Sequence, residues 1–206
     1  MASFVYFDLG GVVILDFSGT EKWNQLQKEI GVPEEKGREF EAFFSGCEAG
    51  ICTGREIETA LPLLKRRFGV KIPQDYSLLT DGFLPRLNAN RSIWPVIEKV
   101  RKGCRIGLLT NMYSHMLDAI REKGILPRVD WDVIIDSSVV GMKKPDQGIF
   151  ELAEKRAGAK GEEILFVDNT RKHIEAAERF GWRTLLYDQF SLDEPNERLL
   201  EMLNDA

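Results

Sequence analysis

Three short apolar runs, each stopping at polar residues, constrain this chain more than any other feature: Phe4-Val5-Tyr6-Phe7 before Asp8, Ile106-Gly107-Leu108-Leu109 before Thr110-Asn111, and Ile164-Leu165-Phe166-Val167 before Asp168-Asn169. Four consecutive apolar residues leave no polar face for water, which suits a strand covered on both sides. Two weaker runs, Asp132-Val133-Ile134-Ile135 and Arg183-Thr184-Leu185-Leu186-Tyr187, raise the expected strands to five. Helical patterns over 93–102, 113–123, 145–157, 171–180 and 194–203 alternate with them. Alternation of this kind predicts an α/β fold, a parallel sheet wrapped by helices through right-handed crossovers. Ligands of such sheets bind outside the carboxyl ends of the strands, the edge on which Asp8, Thr110 and Asp168 fall.

The segment 16–90 reads differently. It has no buried-strand pattern and carries helical stripes, Phe40-Phe43-Phe44 and Ile57-Leu61-Leu64, which read as core rather than as a cofactor site. We expect an inserted helical domain at 16–90, hinged near Leu15 and Asn90, in a catalytic core formed by 1–15 and 91–206. A chain of 206 residues buries enough surface to fold without a metal or disulfide. Its net charge of −5 and scattered basic residues give no phosphate-backbone footprint, so no nucleic-acid partner is expected; Lys65-Arg66-Arg67 reads as a solvated helix face. Three cysteines, Cys47, Cys52 and Cys104, with His115 and His173 far apart, lack the spacing of a zinc site and fit a reducing compartment. With neither a leader-like start nor a run of about 20 apolar residues, the expectation is a cytoplasmic protein with no membrane partner. Oligomeric state is left open.

A carboxylate at a strand end followed by Gly10-Gly11 sits where the backbone turns sharply and a substrate can approach closely. Asp8 is therefore a candidate nucleophile or metal ligand. Thr110 adds a hydroxyl, Asn111 an amide, Asp168 a second carboxylate suited to a hard cation, and Lys144 a fixed positive charge. Singly, each has an ordinary explanation as a cap, a turn or a solvated side chain. Together they are the parts that phosphoryl transfer requires.

Four stretches in order, Phe7-Asp8-Leu9-Gly10-Gly11-Val12, Leu108-Leu109-Thr110-Asn111, Gly141-Met142-Lys143-Lys144-Pro145-Asp146 and Phe166-Val167-Asp168-Asn169, resemble the four motifs of the haloacid dehalogenase superfamily. Glu48-Ala49-Gly50-Ile51 and the helix after it are similar to the small helical cap of its sugar-phosphatase-like members. The resemblance implies a Rossmann-like core under a helical cap, and a magnesium-dependent phosphatase acting on a small phosphorylated metabolite such as a sugar phosphate. It further implies that Asp8 forms an aspartyl-phosphate while Thr110, Asn111 and Lys144 hold the phosphoryl group. Mg2+ would be bound by Asp8, the Gly10 carbonyl and Asp168, with Asn169 in support. On the cap, Phe44, Arg55 and Arg67 are conceivable substrate contacts.

Two positions depart from that pattern. Related phosphatases commonly carry an aspartate as acid and base two residues after the nucleophile, where this chain has Gly10; positioned proton transfer is worth about 10²–10⁴ in rate. The expected compensation is a comparatively acidic leaving group, or another group or water that donates the proton. His173, about a turn into its helix, is assigned to a surface or cap-facing role, and Asp16 at the hinge is an equally weak candidate. Asn169 replaces a second common carboxylate and should weaken magnesium binding without abolishing it. Two rival readings follow from these departures: a 2-haloacid dehalogenase, permitted by Gly10 and opposed by Asp168, and a catalytically impaired protein that binds a phosphorylated ligand or partner.

Overall fold

The structure, a computed structural model, describes residues 2–204; positions 1, 205 and 206, at the ends of the expected core, lie outside the described residues. In chain order the elements are β1 (Phe4–Phe7), β2 (Ile14–Leu15), α1 (Glu21–Glu29), α2 (Gly37–Ile51), α3 (Ala60–Phe68), β3 (Asn88–Ala89), α4 (Trp94–Val100), β4 (Arg105–Thr110), α5 (Met116–Glu122), β5 (Val133–Asp136), α6 (Ser137–Val140), α7 (Gln147–Ala157), β6 (Ile164–Asp168), α8 (Arg171–Arg179), β7 (Arg183–Leu186) and α9 (Asp193–Asn204). A π-helical turn, Leu78–Phe83, follows α3.

The five expected strands form one parallel sheet in the order β5-β4-β1-β6-β7, the Rossmann-like arrangement. Residues alternate between its two faces. Val5 and Phe7 join Leu165 and Val167 in one core, while Phe4 and Tyr6 join Ile164 and Phe166 in the other. Both faces are thus sealed, which is why these strands read as continuous apolar runs. Phe7 pairs with Leu108 on one side and Val167 on the other, so the strands end nearly level and their next residues share one edge.

Helices of the sheet layer begin and end within a few residues of the sequence pattern, with one difference. The pattern over 113–123 becomes a helix only at Met116, because His115 takes a left-handed conformation (φ 64°) that stops the helix from extending backwards. The freed loop carries Asn111, Met112 and Tyr113 over the sheet edge.

Between β2 and β3 the chain is helical. The stripe reading holds for Phe40 and Phe44, which are buried on one face of α2 among Trp23, Phe68 and Phe83. Ring centroids lie 5.7 Å apart for Trp23–Phe40, Trp23–Phe44 and Phe40–Phe68, separations at which aromatic pairs add stability beyond their burial. Phe83 meets Tyr113 edge-on at 5.4 Å and ties this aromatic core to the sheet-edge loop.

The two connections are not independent hinges. Ile14 and Leu15 pair antiparallel with Ala89 and Asn88, forming a small ribbon. Below it Asn90, 1% exposed, donates from Nδ2 to the Val12 carbonyl at 2.8 Å and to the Tyr187 hydroxyl at 3.0 Å. Gln189 clasps the backbone of Asp16, accepting from its N–H at 2.8 Å and donating to its carbonyl at 3.3 Å. Among the described residues, no helix is long and apolar enough to cross a membrane.

Candidate active site

Asp8 leaves β1 with its N–H donating to the Val167 carbonyl (2.8 Å) and its Oδ1 accepting from the N–H of Leu9 (2.7 Å). The turn that follows depends on Gly11, at φ 78°, where a Cβ would land inside the side-chain amide of Asn169. That close approach seats the first strand's turn directly against the residue after Asp168. Gly10 is different: a Cβ there would meet nothing within 4 Å.

Lys144 arrives from the loop before α7 and is fully buried, over the Phe166 ring at 5.1 Å. Asn111 positions it through two backbone bonds, donating from Nδ2 to the Lys144 carbonyl and accepting from its N–H, both at 2.8 Å. The ammonium reaches Asp8 Oδ1 at 3.0 Å and Asp168 Oδ2 at 2.6 Å. Asp168 also accepts from the Thr170 N–H at Oδ1 (2.7 Å) and contacts Nδ1 of His173 at 3.1 and 3.2 Å.

These contacts divide the charge unequally. Burial raises the carboxyl pKa of Asp8 to about 7, with Lys144 opposing and Asp168 reinforcing the rise. Asp168 is buried too, but Lys144 and His173 overcome that and hold it well below the usual carboxylate range. Burial likewise works against the Lys144 ammonium, yet the pull of Asp168 and Asp8 leaves it above the ordinary lysine value. His173 is lowered, chiefly by burial. Beside an ionised Asp168, its Nδ1 is the donor. Of the surface or cap-facing role expected for His173, the surface half is corrected: it is 6% exposed, packs on Asp168 and lines the cavity, because α8 begins three residues past the strand end and its first turn faces back over the edge.

A cavity of about 330 Å³ opens over Asp8, Gly10, Asn111 and Asn169, roofed by Glu48 and Cys52 of the helical segment. The cap contacts read from sequence do not line it. Phe44 is in the aromatic core, Arg67 pairs with Glu39 at 3.0 Å on the surface, and Arg55 folds against Gly50. Glu48 takes their place, accepting from the Tyr113 hydroxyl at 2.7 Å. The sequence did carry a signal for it, since 40, 44 and 48 are four apart and lie on one helix face. Thr110, fully buried at the end of β4, has a hydroxyl oxygen with no hydrogen-bond partner among the described residues.

An orphaned hydroxyl, a buried ammonium and two carboxylates thus meet at one sheet edge. Residues 5–181 match the model of the haloacid dehalogenase-like hydrolases. The chain belongs to this family. Curated relatives of this haloacid dehalogenase-like hydrolase include bifunctional epoxide hydrolase 2 of Sus scrofa, 26% identical over 202 residues, 87% of this chain but only 35% of the relative's length. A phosphatase of Mycobacterium tuberculosis is 24% identical across 91% of this chain and 88% of its own. An (S)-2-haloacid dehalogenase of Pseudomonas sp. (strain YL) is 28% identical over 62% of this chain and 55% of its own. Among solved structures, a predicted HAD-like family hydrolase from Porphyromonas gingivalis superposes with a TM-score of 0.73 at 26% identity, covering 97% and 98% of the two chains. A haloacid dehalogenase family enzyme from Bacteroides thetaiotaomicron, solved with magnesium and inorganic phosphate, shares the fold at 20% identity, with a TM-score of 0.70 over 89% of this chain and 93% of its own.

Proposed function

We propose that this hydrolase is a magnesium-dependent phosphatase of a small phosphorylated metabolite, working through an aspartyl-phosphate on Asp8. The observation that carries the reading is the fully buried Thr110 hydroxyl left without a partner at the same sheet edge as the Asp8–Lys144 pair. A buried hydroxyl that forgoes a hydrogen bond costs about 1–3 kcal/mol, a cost a phosphoryl oxygen would remove. Asp8 Oδ1 is occupied by Lys144 and the Leu9 N–H, so Oδ2 is the oxygen free to attack. Thr110 and Lys144 would hold the phosphoryl oxygens, and Asn111 would keep Lys144 in place.

The donors suit a divalent cation. Ligand atoms of Asp8, Asp168 and His173 lie within 4.8 Å of one another, and the two carboxylates outweigh the Lys144 ammonium by one charge. Asp8, the Gly10 carbonyl and Asp168 would hold magnesium, with Asn169 beside them in support. Asp168 already accepts from Lys144, His173 and Thr170, so the cation would share its carboxylate with three donors, a reason to expect modest affinity. When bound, the ion supplies charge that favours ionised Asp8 and screens the approach of phosphate to a carboxylate. The magnesium and phosphate complex of the Bacteroides enzyme and the Mycobacterium phosphatase agree with this reading.

Residues 16–90 would act as the cap, covering the core of 1–15 and 91–206, excluding water and supplying specificity through α2. Three free cysteines fit a reducing, cytoplasmic setting. The test is phosphate release from sugar phosphates, acyl phosphates and p-nitrophenyl phosphate, with and without magnesium, alongside Asp8→Asn. Activity retained by Asp8→Asn would sink the mechanism. Gly10 and the Pseudomonas relative favour one second reading, 2-haloacid dehalogenation, which predicts halide release that persists in a chelator.

A further inference from the structure

We propose that Glu48, oriented by Tyr113, is the proton donor and acceptor of this site in place of the acid missing at Gly10. This inference rests on the phosphatase reading above. In-line displacement at phosphorus puts the leaving oxygen on the side opposite the attacking Asp8. Asp8 belongs to the sheet edge, whereas Glu48 comes from α2 on the helical side of the same cavity. Its Oε1 is taken by the Tyr113 hydroxyl at 2.7 Å, so Oε2 is the oxygen left for a ligand.

The other candidates are worse placed. Asp16 also lines the cavity, but it follows β2 directly rather than standing on α2, and its Oδ1 closes its own turn with the Ser18 N–H at 2.9 Å. His173 keeps Nδ1 on Asp168, and its Nε2 is sealed from solvent. Burial pushes the Cys52 thiol up to about 12, too weak an acid for neutral pH.

Proton transfer by Glu48 balances over both half-reactions. In the first, an Asp8 oxygen bonds to phosphorus, the bond from phosphorus to the leaving oxygen breaks, and that oxygen takes the proton of neutral Glu48. In the second, a water oxygen bonds to phosphorus, the Asp8–phosphorus bond breaks, and the proton lost by water returns to Glu48. A starting acid is favoured because burial raises the Glu48 pKa. The Tyr113 hydrogen bond lowers it, Asp16 raises it, and Lys172 of α8 and Lys143 before α7 lower it.

Glu48→Gln keeps size and removes the proton. Measured with magnesium, its turnover of an alkyl phosphate such as glycerol phosphate should fall about 10²–10³-fold. Release of p-nitrophenolate, which needs no proton, should keep its first-turnover rate within about threefold, then slow after one equivalent because water activation is lost. Tyr113→Phe should move the basic limb of alkyl phosphate turnover to higher pH, since the bond it removes favours ionised Glu48. Because Gly10 has open space, Gly10→Asp in the Glu48→Gln background should restore alkyl turnover at least tenfold, by about the value of a positioned acid. Equal losses of the first-turnover rate on both substrates, or no loss on either, would overturn the assignment. Wild-type protein that releases phosphate from no ester would instead overturn the phosphatase reading, and this inference with it.

Discussion

Replacing Lys144 with Met tests whether the buried ammonium holds the two carboxylates together. Methionine approximates the lysine stem in volume, so the change removes charge more than it makes a cavity. At 3.0 Å and an effective dielectric near 20, one such contact has a gross Coulomb energy on the order of 5 kcal/mol. Much of that offsets desolvation, and removing one partner of a buried pair typically costs about 3–5 kcal/mol. The cost should depend on pH. In the wild-type protein burial raises the Asp8 pKa to about 7, with Lys144 holding it down. The variant, with two buried carboxylates and no cation, keeps the Asp8 proton to higher pH. Above about 7 the folded variant therefore holds one proton more than folded wild type, and its deficit grows by about 1.4 kcal/mol per pH unit. Urea denaturation with chelator, at about pH 6 and about pH 8.5, should show the deficit larger at the higher pH by about 2 kcal/mol. A deficit below about 1 kcal/mol at both pH values would refute the ion-pair account. A deficit that does not change with pH would refute the assignment of the raised pKa to Asp8.

Thr110→Val should separate stability from function: removing an orphaned hydroxyl leaves stability equal or higher by about 1 kcal/mol, while kcat/KM falls about 10²–10³-fold; loss of both together would contradict the phosphoryl-binding role. Gly11→Ala meets a left-handed φ and the Asn169 amide at once, so thermal or urea unfolding should report a loss of more than about 2 kcal/mol. A neutral result would show that the turn is not pinned as described. Asn169→Asp adds a carboxylate beside the cation site, and magnesium titration by calorimetry should find tighter binding; unchanged affinity would remove Asn169 from the site.

Much of the site was legible because its residues end strands. A strand buried on both faces announces itself as an apolar run, and the first polar residue after the run marks the sheet edge. Asp8, Thr110 and Asp168 were found that way, and Lys144 as the positive charge in the third of the resembling stretches. His173 and Glu48 were misjudged or passed over because their direction depends on how a helix is set against the sheet. The β2–β3 ribbon was missed because two-residue strands have no period to detect.

By itself, then, the sequence determined the five-strand alternation, the helical insertion and the order of groups along the sheet edge, since each follows from local hydrophobic pattern. Tertiary structure decided which groups meet. Asn111 clasps Lys144 across 33 residues, Tyr113 holds Glu48 across 65, and Gln189 grips Asp16 across 173. Pairings at such separations leave no trace in any local window, because packing of the helical segment against the sheet edge brings their partners together. That packing also moves the question of the missing acid at Gly10 to the helical side of the cavity.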